Sequence, residues 1–333
     1  MRKGLLAVIV LALVLSACAN KDAANDKGQP PTIQEYFPMK ENTGYIYEGK
    51  GNEYAAYDVF NDYIAEGRVQ QRIDNGGTVV ARVIELKSGS LTQLLSKGEA
   101  YYRENLLKAT DIKVEILLME PLEKGTTWTL DDSRVRMITN TSADVSTPSG
   151  DYEAIEVTTK GPNETSIEYY AKDVGLVKSV FNPGEFEISS FLSKIEADTQ
   201  LMQSISFYYP GKDDGKIHEI VKDVGFNTND ITRAVLAEAY KQTPSDLLPV
   251  FTKNTRINNL YLNKDGMVYL DLNSAFLEET NAGAGYEELI LQSIVNTFGK
   301  YYNATKVILT IDNKLYESGH FAFKKGEYLK VSP

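Results

Sequence analysis

Thr255-Arg256-Ile257-Asn258-Asn259-Leu260-Tyr261-Leu262-Asn263-Lys264-Asp265-Gly266-Met267-Val268-Tyr269-Leu270-Asp271-Leu272 reads as two strands around a tight turn. Asn, Asp and Gly supply the turn, because they tolerate the left-handed backbone that a short hairpin requires. Before this hairpin, Asn229–Tyr240 repeats its apolar residues at helical spacing. Val235/Leu236 and Ala239/Tyr240 lie on one face, and Thr228 or Asn229 is placed to cap the helix. After the hairpin, a second helix is predicted from about Tyr286 to Phe298, with Tyr286, Leu289/Ile290, Ile294 and Phe298 inward. A strand from Gln203 to Tyr209, stopped by Pro210-Gly211, opens the segment. The strand Val307–Ile311 closes it and turns through Asp312-Asn313 into Lys314-Leu315-Tyr316. The order β-α-β-β-α-β predicts an α+β domain over 203–323, two helices on one face of a small sheet.

Upstream, residues 36–197 change period. Tyr45–Glu48, Val79–Leu86, Val114–Leu118, Trp128–Leu130, Val135–Thr139 and Tyr152–Thr158 read as strands. Asn75-Gly76-Gly77, Lys87-Ser88-Gly89, Pro148-Ser149-Gly150 and Gly161-Pro162-Asn163 punctuate them, so an antiparallel meander, curved or an open barrel, is predicted. Within it, Leu91–Ala109 is read as holding a short helix. Thr165–Val180 is a strand, an Asp173-Val174-Gly175 turn and a second strand. The polar run Glu196–Gln200 marks the boundary between the two bodies. The whole is α+β: an N-terminal antiparallel curved sheet followed by a smaller βαββαβ domain.

The N-terminus carries an address. Arg2 and Lys3 precede the uncharged run Gly4–Leu15, too short to span a bilayer comfortably and suited to a secretory signal over 1–17. Leu15-Ser16-Ala17-Cys18 resembles a bacterial lipobox. The resemblance implies recognition of Leu15, Ser16 and Ala17 by lipoprotein signal peptidase and a diacylglyceryl thioether on Cys18, giving a membrane anchor. Residues 18–35 are small and polar and include Pro30-Pro31, as a flexible tether would be. The 333 residues carry 35 Lys+Arg and 46 Asp+Glu, a net charge of −11. Removing residues 1–17 takes away Arg2 and Lys3 and leaves −13. Such a body is repelled by anionic headgroups and by phosphate backbones, so nucleic acid is excluded as a partner.

Two further resemblances concern the bodies. Thr147–Ala154 with Thr165–Val180 resembles β-rich domains of bacterial envelope lipoproteins and implies architecture only. Val268–Phe276, Glu288–Phe298, Lys306–Asp312 and Leu247-Leu248-Pro249 resemble the sporulation and spore-germination GerM (GerMN) domain. Asn313 stands where that pattern usually has Gly, and the domain occurs once. The resemblance implies a ring-building-like fold, self-association or contacts with other envelope proteins, and a part in sporulation or germination.

Catalytic constellations are scarce. One Cys and two His leave almost nothing for a Cys/His metal site or a His-based triad, and no catalytic, metal-binding or cofactor-binding residue is assigned. His218 and His320 lack ligand spacing, and Asn263–Gly266 lacks the full calcium-loop register. Glu278-Glu279 and Glu287-Glu288 point apart on a helix, unlike a glycosidase pair. Asp271 is read as bonding backbone N–H groups at its strand's end, since no nucleophile or base accompanies it. The 21 tyrosines are the one excess; of neighbours such as Tyr101-Tyr102, Tyr208-Tyr209 and Tyr301-Tyr302, one in each pair is free to face solvent. The leading expectation is a non-enzymatic, membrane-anchored envelope lipoprotein acting by contact. The alternative is a lipoprotein that binds a sugar, peptide or lipid on the concave face of the 36–197 sheet, in a pocket lined by Tyr and Trp128.

Overall fold

A twelve-stranded antiparallel sheet dominates the computed structural model, which describes residues 30–111, 114–184, 186–280 and 282–332. The expected signal segment, the lipobox-like Leu15, Ser16 and Ala17, the expected lipidation site Cys18 and the expected tether up to residue 29 lie outside the described residues. Residues 31–333 form one compact unit.

A single helical turn, α1 (Ile33–Tyr36), precedes β1 (Gly44–Lys50), β2 (Tyr57–Ala65), β3 (Arg68–Asp74), β4 (Val79–Lys87), β5 (Ser90–Lys97) and β6 (Glu115–Met119). There follow β7 (Thr127–Thr129), β8 (Val135–Thr147), β9 (Gly150–Lys160), β10 (Thr165–Ala171), β11 (Gly175–Asn182) and β12 (Ile188–Glu196). The spatial order β6-β5-β4-β3-β2-β1-β12-β11-β10-β9-β8-β7 puts the first and last strands side by side, Gly44 opposite Glu196. The chain thus meanders outward in two wings from that central pair, and the wings curl until their edges meet. There the ladder is replaced by side chains: Trp128 Nε1 donates to Ile116 O at 3.0 Å, and Arg136 Nη1 donates to Ile116 O at 3.1 Å and Leu117 O at 3.3 Å. Otherwise unpaired edge carbonyls are satisfied this way.

Inside the curl, Val69, Ile84, Leu91, Leu118, Trp128, Ile138, Val157 and Tyr170 make one buried cluster, closed by Ile33 and Phe37 from around α1. Tyr45, Tyr47, Val59, Val145, Val177 and Leu192 make another. The concave face is therefore filled with side chains. Beside Tyr45, Tyr47, Tyr57 and Arg82 there remains a cavity of about 30 Å³, room for a water molecule.

The expected helix in Leu91–Ala109 is absent. Leu91–Lys97 lies in β5, held between β4 and β6, and Gly98 with Glu99 at φ 54° turns the chain away. Pairing on both sides outweighs local propensity. The Asp173-Val174-Gly175 turn is present, with Asp173 at φ 62° and Gly175 at φ 104°.

The second body begins with β13 (Leu201–Pro210) and β14 (Ile217–Phe226), a two-stranded ribbon, followed by α2 (Thr232–Lys241). Next come β15 (Ile257–Leu262), β16 (Val268–Leu272), α3 (Ala275–Glu279), α4 (Ala284–Tyr301), β17 (Lys306–Ile311), β18 (Lys314–Leu315) and β19 (Leu329–Lys330). Their sheet runs β15-β16-β17-β18, with β19 also on β17, and only β16 and β17 are parallel, joined by the α3–α4 crossover. Tyr240 is fully buried at the centre of an aromatic cluster with Phe207, Tyr209, Phe251 and Phe298.

Three expectations change here. The Gln203–Tyr209 strand pairs with β14, which the sequence reading did not contain, and does not join the main sheet. The exposed face of β14 carries the apolar Val221 between Glu219 and Asp223, and the opposite face carries the polar His218 and Lys222 beside Ile220 and Val224, which hid its alternation. Second, α2 begins at Thr232 with Ile231 before it and no side-chain cap, because Thr228 and Asn229 are bonded to the other body instead. Third, Tyr208 and Tyr209 are both buried: α4 covers one face of β13, where Thr297 Oγ1 also accepts from Tyr208 N, while Tyr209 Oη donates to Tyr240 O.

Candidate functional site

The two bodies meet on a buried ionic cluster. Asp62 is the extra residue at a bulge in β2 between Asn61 and Tyr63, and Arg72 of β3 reaches it diagonally, with Arg72 Nη2 3.1 Å from Asp62 Oδ2. Arg103, from the irregular segment after β5, brings a second guanidinium, its Nε 3.4 Å from Asp62 Oδ1 and its Nη2 2.7 Å from Asp62 O. All three side chains are at most 5% exposed. Burying such charges is costly unless they find partners, and every nitrogen of both guanidiniums has an acceptor here. Arg72 also donates to Ala100 O and Tyr102 O, and Gln70 Nε2 donates to Glu104 O, which shapes the segment carrying Arg103.

Arg103 then crosses to the second body. It donates to Asn227 O at 3.0 Å, Asp230 O at 2.5 Å and Thr232 Oγ1 at 3.2 Å, while Tyr301 Oη accepts from Arg103 N. Its guanidinium lies over two aromatic rings, 4.2 Å from the Tyr63 ring centre and 5.2 Å from that of Phe226. Burial pushes the Tyr63 and Tyr301 hydroxyls up from their ordinary value, so both remain neutral donors and acceptors. Around this centre, Asn42 and Thr228 exchange bonds (Asn42 N to Thr228 Oγ1 and Thr228 N to Asn42 Oδ1, both 2.8 Å), and Asn229 Oδ1 accepts from Ile64 N.

Above the joint lies a groove of about 430 Å³, lined by Arg103, Glu104 and Asn105, by Ile231–Arg233 at the start of α2, by Tyr302, and by Asn259–Leu262 of β15. This β15 stretch is the free edge of the five-stranded sheet. Asn263 N donates to Met267 O at 2.9 Å to close the hairpin. Counting back along the antiparallel register, Tyr261 and Asn259 turn their main-chain groups to β16, whereas Leu262 and Leu260 turn theirs outward. Consistently, Tyr302 Oη reaches Leu260 O from the groove side, at a long 3.5 Å.

The residues singled out in the sequence are structural where they are described. Asp271 is buried and accepts from Thr310 Oγ1 at 2.6 Å, Asn313 N at 2.7 Å and Asn258 Nδ2 at 2.9 Å. Asn313 sits at φ 60°, a left-handed position that Asn tolerates nearly as well as the Gly it replaces. Met267 N–H and neighbouring side chains hold the Asp265 carboxyl below its usual range, as a turn residue. His218 pairs with Asp214 at 2.9 Å. Glu287 is buried and accepts from Tyr316 Oη, and Trp128 belongs to the barrel core. Among the described residues no group of His, Cys, Asp and Glu is placed to hold a metal. Asp62, Arg72, Arg103, Arg233, Leu260 and Leu262 were not found from the sequence. The available signal was the polar run Gln70-Gln71-Arg72 inside a strand, which a sheet with two apolar faces would not tolerate.

Residues 206–317 match the Germane family, sporulation and spore germination. A Germane-type domain thus follows a β-rich body, and residues 31–205 lie outside the match. Among solved structures, the first GerMN domain of the sporulation protein GerM from Bacillus subtilis shares 18% identity over 34% of this chain and 84% of that one, with a TM-score of 0.25. The tandem GerMN domains of the same protein share 18% over 38% of this chain, which spans 45% of theirs, with a TM-score of 0.27. A candidate lipoprotein from Clostridium perfringens shares 19% over 39% of this chain and 87% of that one, with a TM-score of 0.25. No curated protein matches the chain.

Proposed function

We propose that this protein is a lipid-anchored envelope lipoprotein of a sporulating bacterium that works by contact rather than catalysis, as an assembly module in sporulation or germination. The anchor would be a diacylglyceryl group on Cys18, placing both bodies on the outer side of the cell membrane. Other envelope proteins or further copies of the chain would be the partners. Three observations support this reading: the lipobox-like Leu15–Cys18, the Germane match over 206–317, and the core side chains that occupy the concave face of the large sheet among the described residues. Among the described residues no helix is long and apolar enough to cross a membrane, and a lipid on Cys18 would supply the attachment. The observation that carries the reading is the free β15 edge held at a joint that buried ion pairs make rigid.

The test is fractionation of cells carrying the wild-type chain or Cys18→Ser, with crosslinking in intact cells during sporulation. Wild-type protein should sediment with membranes and capture envelope proteins or itself, whereas Cys18→Ser should leave the membrane fraction. Soluble wild-type protein, or recovery of a small molecule and no protein partner, would refute the proposal.

A further inference from the structure

One wall of the groove beside β15 is an aromatic ring held in place. Tyr261 is 48% exposed, yet Tyr269, directly opposite on β16, lies 5.5 Å from it with 15° between the ring planes. Two rings so close and so nearly parallel are offset face to face. Tyr269 is fixed in turn, its Oη donating to Asp265 Oδ2 at 3.0 Å. The face of Tyr261 toward β16 is therefore covered, and its other face looks over the free edge of the sheet into the groove. A ring that faces water with its orientation already set is preorganised for a flat partner. Ile231 and Leu262 add apolar surface beside it.

The groove's charges balance, Arg103 and Arg233 against Glu104 and Asp230, so it exerts no net pull on an acidic or a basic ligand. Leu260 O already accepts from Tyr302 Oη, which leaves the free polar groups mostly on side chains. Among the described residues, the Asn259 amide, the Arg233 guanidinium, Asn105 Nδ2 and Asp230 Oδ1 have no hydrogen-bond partner. Asn105 Oδ1 and Asp230 Oδ2 are taken, by Leu107 N and by Asn227. The free groups are planar, and they include donors and acceptors.

We infer that the groove binds a short uncharged saccharide, one pyranose ring stacked on Tyr261 and its hydroxyls bonded to the free amide, guanidinium and carboxylate groups. The carbon-bound hydrogens on a pyranose face meet the negative face of an aromatic ring. Hydroxyls both give and accept hydrogen bonds, which suits a rim of mixed donors and acceptors. A fatty chain would leave that rim dry and unpaired. The volume of about 430 Å³ lies within the range of about 300–1,000 Å³ usual for small-molecule clefts. This site stands apart from the concave face of the large sheet. It goes beyond the contact-module reading and does not depend on it.

Isothermal titration calorimetry of the purified full-length chain with chitotetraose, cellotetraose and maltotetraose is the test. At least one should bind with a Kd of about 1 mM or tighter. Added salt should leave the affinity unchanged, since no ion pair forms with the ligand. Tyr261→Ala should weaken binding about tenfold or more and Tyr261→Phe should keep it, both with unchanged thermal unfolding. Tyr269→Ala should also weaken it, although Tyr269 stands behind the ring that touches the sugar. Binding of none of the three at about 10 mM, full binding by Tyr261→Ala, or an affinity that falls with salt would each overturn the inference. So would a dimer that Tyr261→Ala dissolves, because the face would then belong to a second copy. None of these outcomes bears on whether the chain captures envelope proteins in cells.

Discussion

Arg103 grips Asp62 twice, at the carboxylate and at the main-chain carbonyl, and with the rest of its guanidinium holds the loop leading into α2. One side chain therefore ties together a strand of the large sheet and the start of the Germane-type body. Removing it would leave the Asp62 carboxylate with Arg72 and Gln70 and strand two carbonyls of the other body.

Arg103→Met should destabilise the chain by about 3–5 kcal/mol, the usual consequence of breaking a buried ion pair from one side. Arg103→Lys should recover little, since an ammonium cannot reproduce the planar fork that lies over Tyr63 and Phe226. Urea denaturation measures the loss. Limited proteolysis around Ala197–Gln200 should be faster in Arg103→Met if the joint is what keeps the bodies together.

The interior tyrosines set an alkaline limit. Burial pushes the Tyr45 and Tyr57 hydroxyls up to about 12, and pushes Tyr47 and Tyr170 further. The folded chain keeps these protons where an unfolded chain, titrating near 10, has released them. Native protein then binds more protons than unfolded protein, so stability is intact below about pH 10 and declines as pH rises from there toward about 12. In an absorbance titration at about 295 nm, phenolate from these residues should appear together with loss of the circular dichroism signal. Smooth ionisation of every tyrosine near pH 10 with the fold intact would contradict the packing.

The seam of the large sheet rests on side chains. Trp128→Phe removes the bond to Ile116 O and also shrinks a buried indole to a phenyl, so it should cost more than the ~1 kcal/mol of the bond alone. Arg136→Met removes the bonds to Ile116 O and Leu117 O and the pair with Glu115, and should cost more than Trp128→Phe. Hydrogen exchange is the direct readout: amides of β6 and β7 should lose protection before those of β1 and β12 at the centre. Equal protection along the sheet would mean that the seam is not its weak line.

The short-range parts of the fold are legible in the sequence. The Ile257–Leu272 hairpin and the helix through Ile290, Ile294 and Phe298 follow from turn chemistry and apolar spacing, which act over a few residues. Asp271 was expected to bond backbone N–H groups; one donor is such a group, Asn313 N, whereas the others are the side chains of Thr310 and Asn258, all brought to it by strand pairing rather than by local sequence. What escaped depends on distant pairing. Leu91–Lys97 has no helix because β4 and β6 flank it, and no local pattern announces that. Thr228 and Asn229 look like caps until Asn42, Asn61 and Ile64 claim them from the other body. Arg103 sits in an aperiodic stretch after two tyrosines, where an arginine would ordinarily be solvated.

The adjacency of Gly44 and Glu196 makes the entrance and the exit of the large sheet a single place. Asn42 and Thr228 clasp each other beside it. A tug exerted on the Germane-type body would enter the large sheet only around its middle, through that clasp, through the bonds from Arg103, Thr228 and Asn229 to β2, and through the chain running on from β12. The outer strands of both wings would be the last to feel it, so the seam between β6 and β7 could stay closed while the middle of the sheet took the strain.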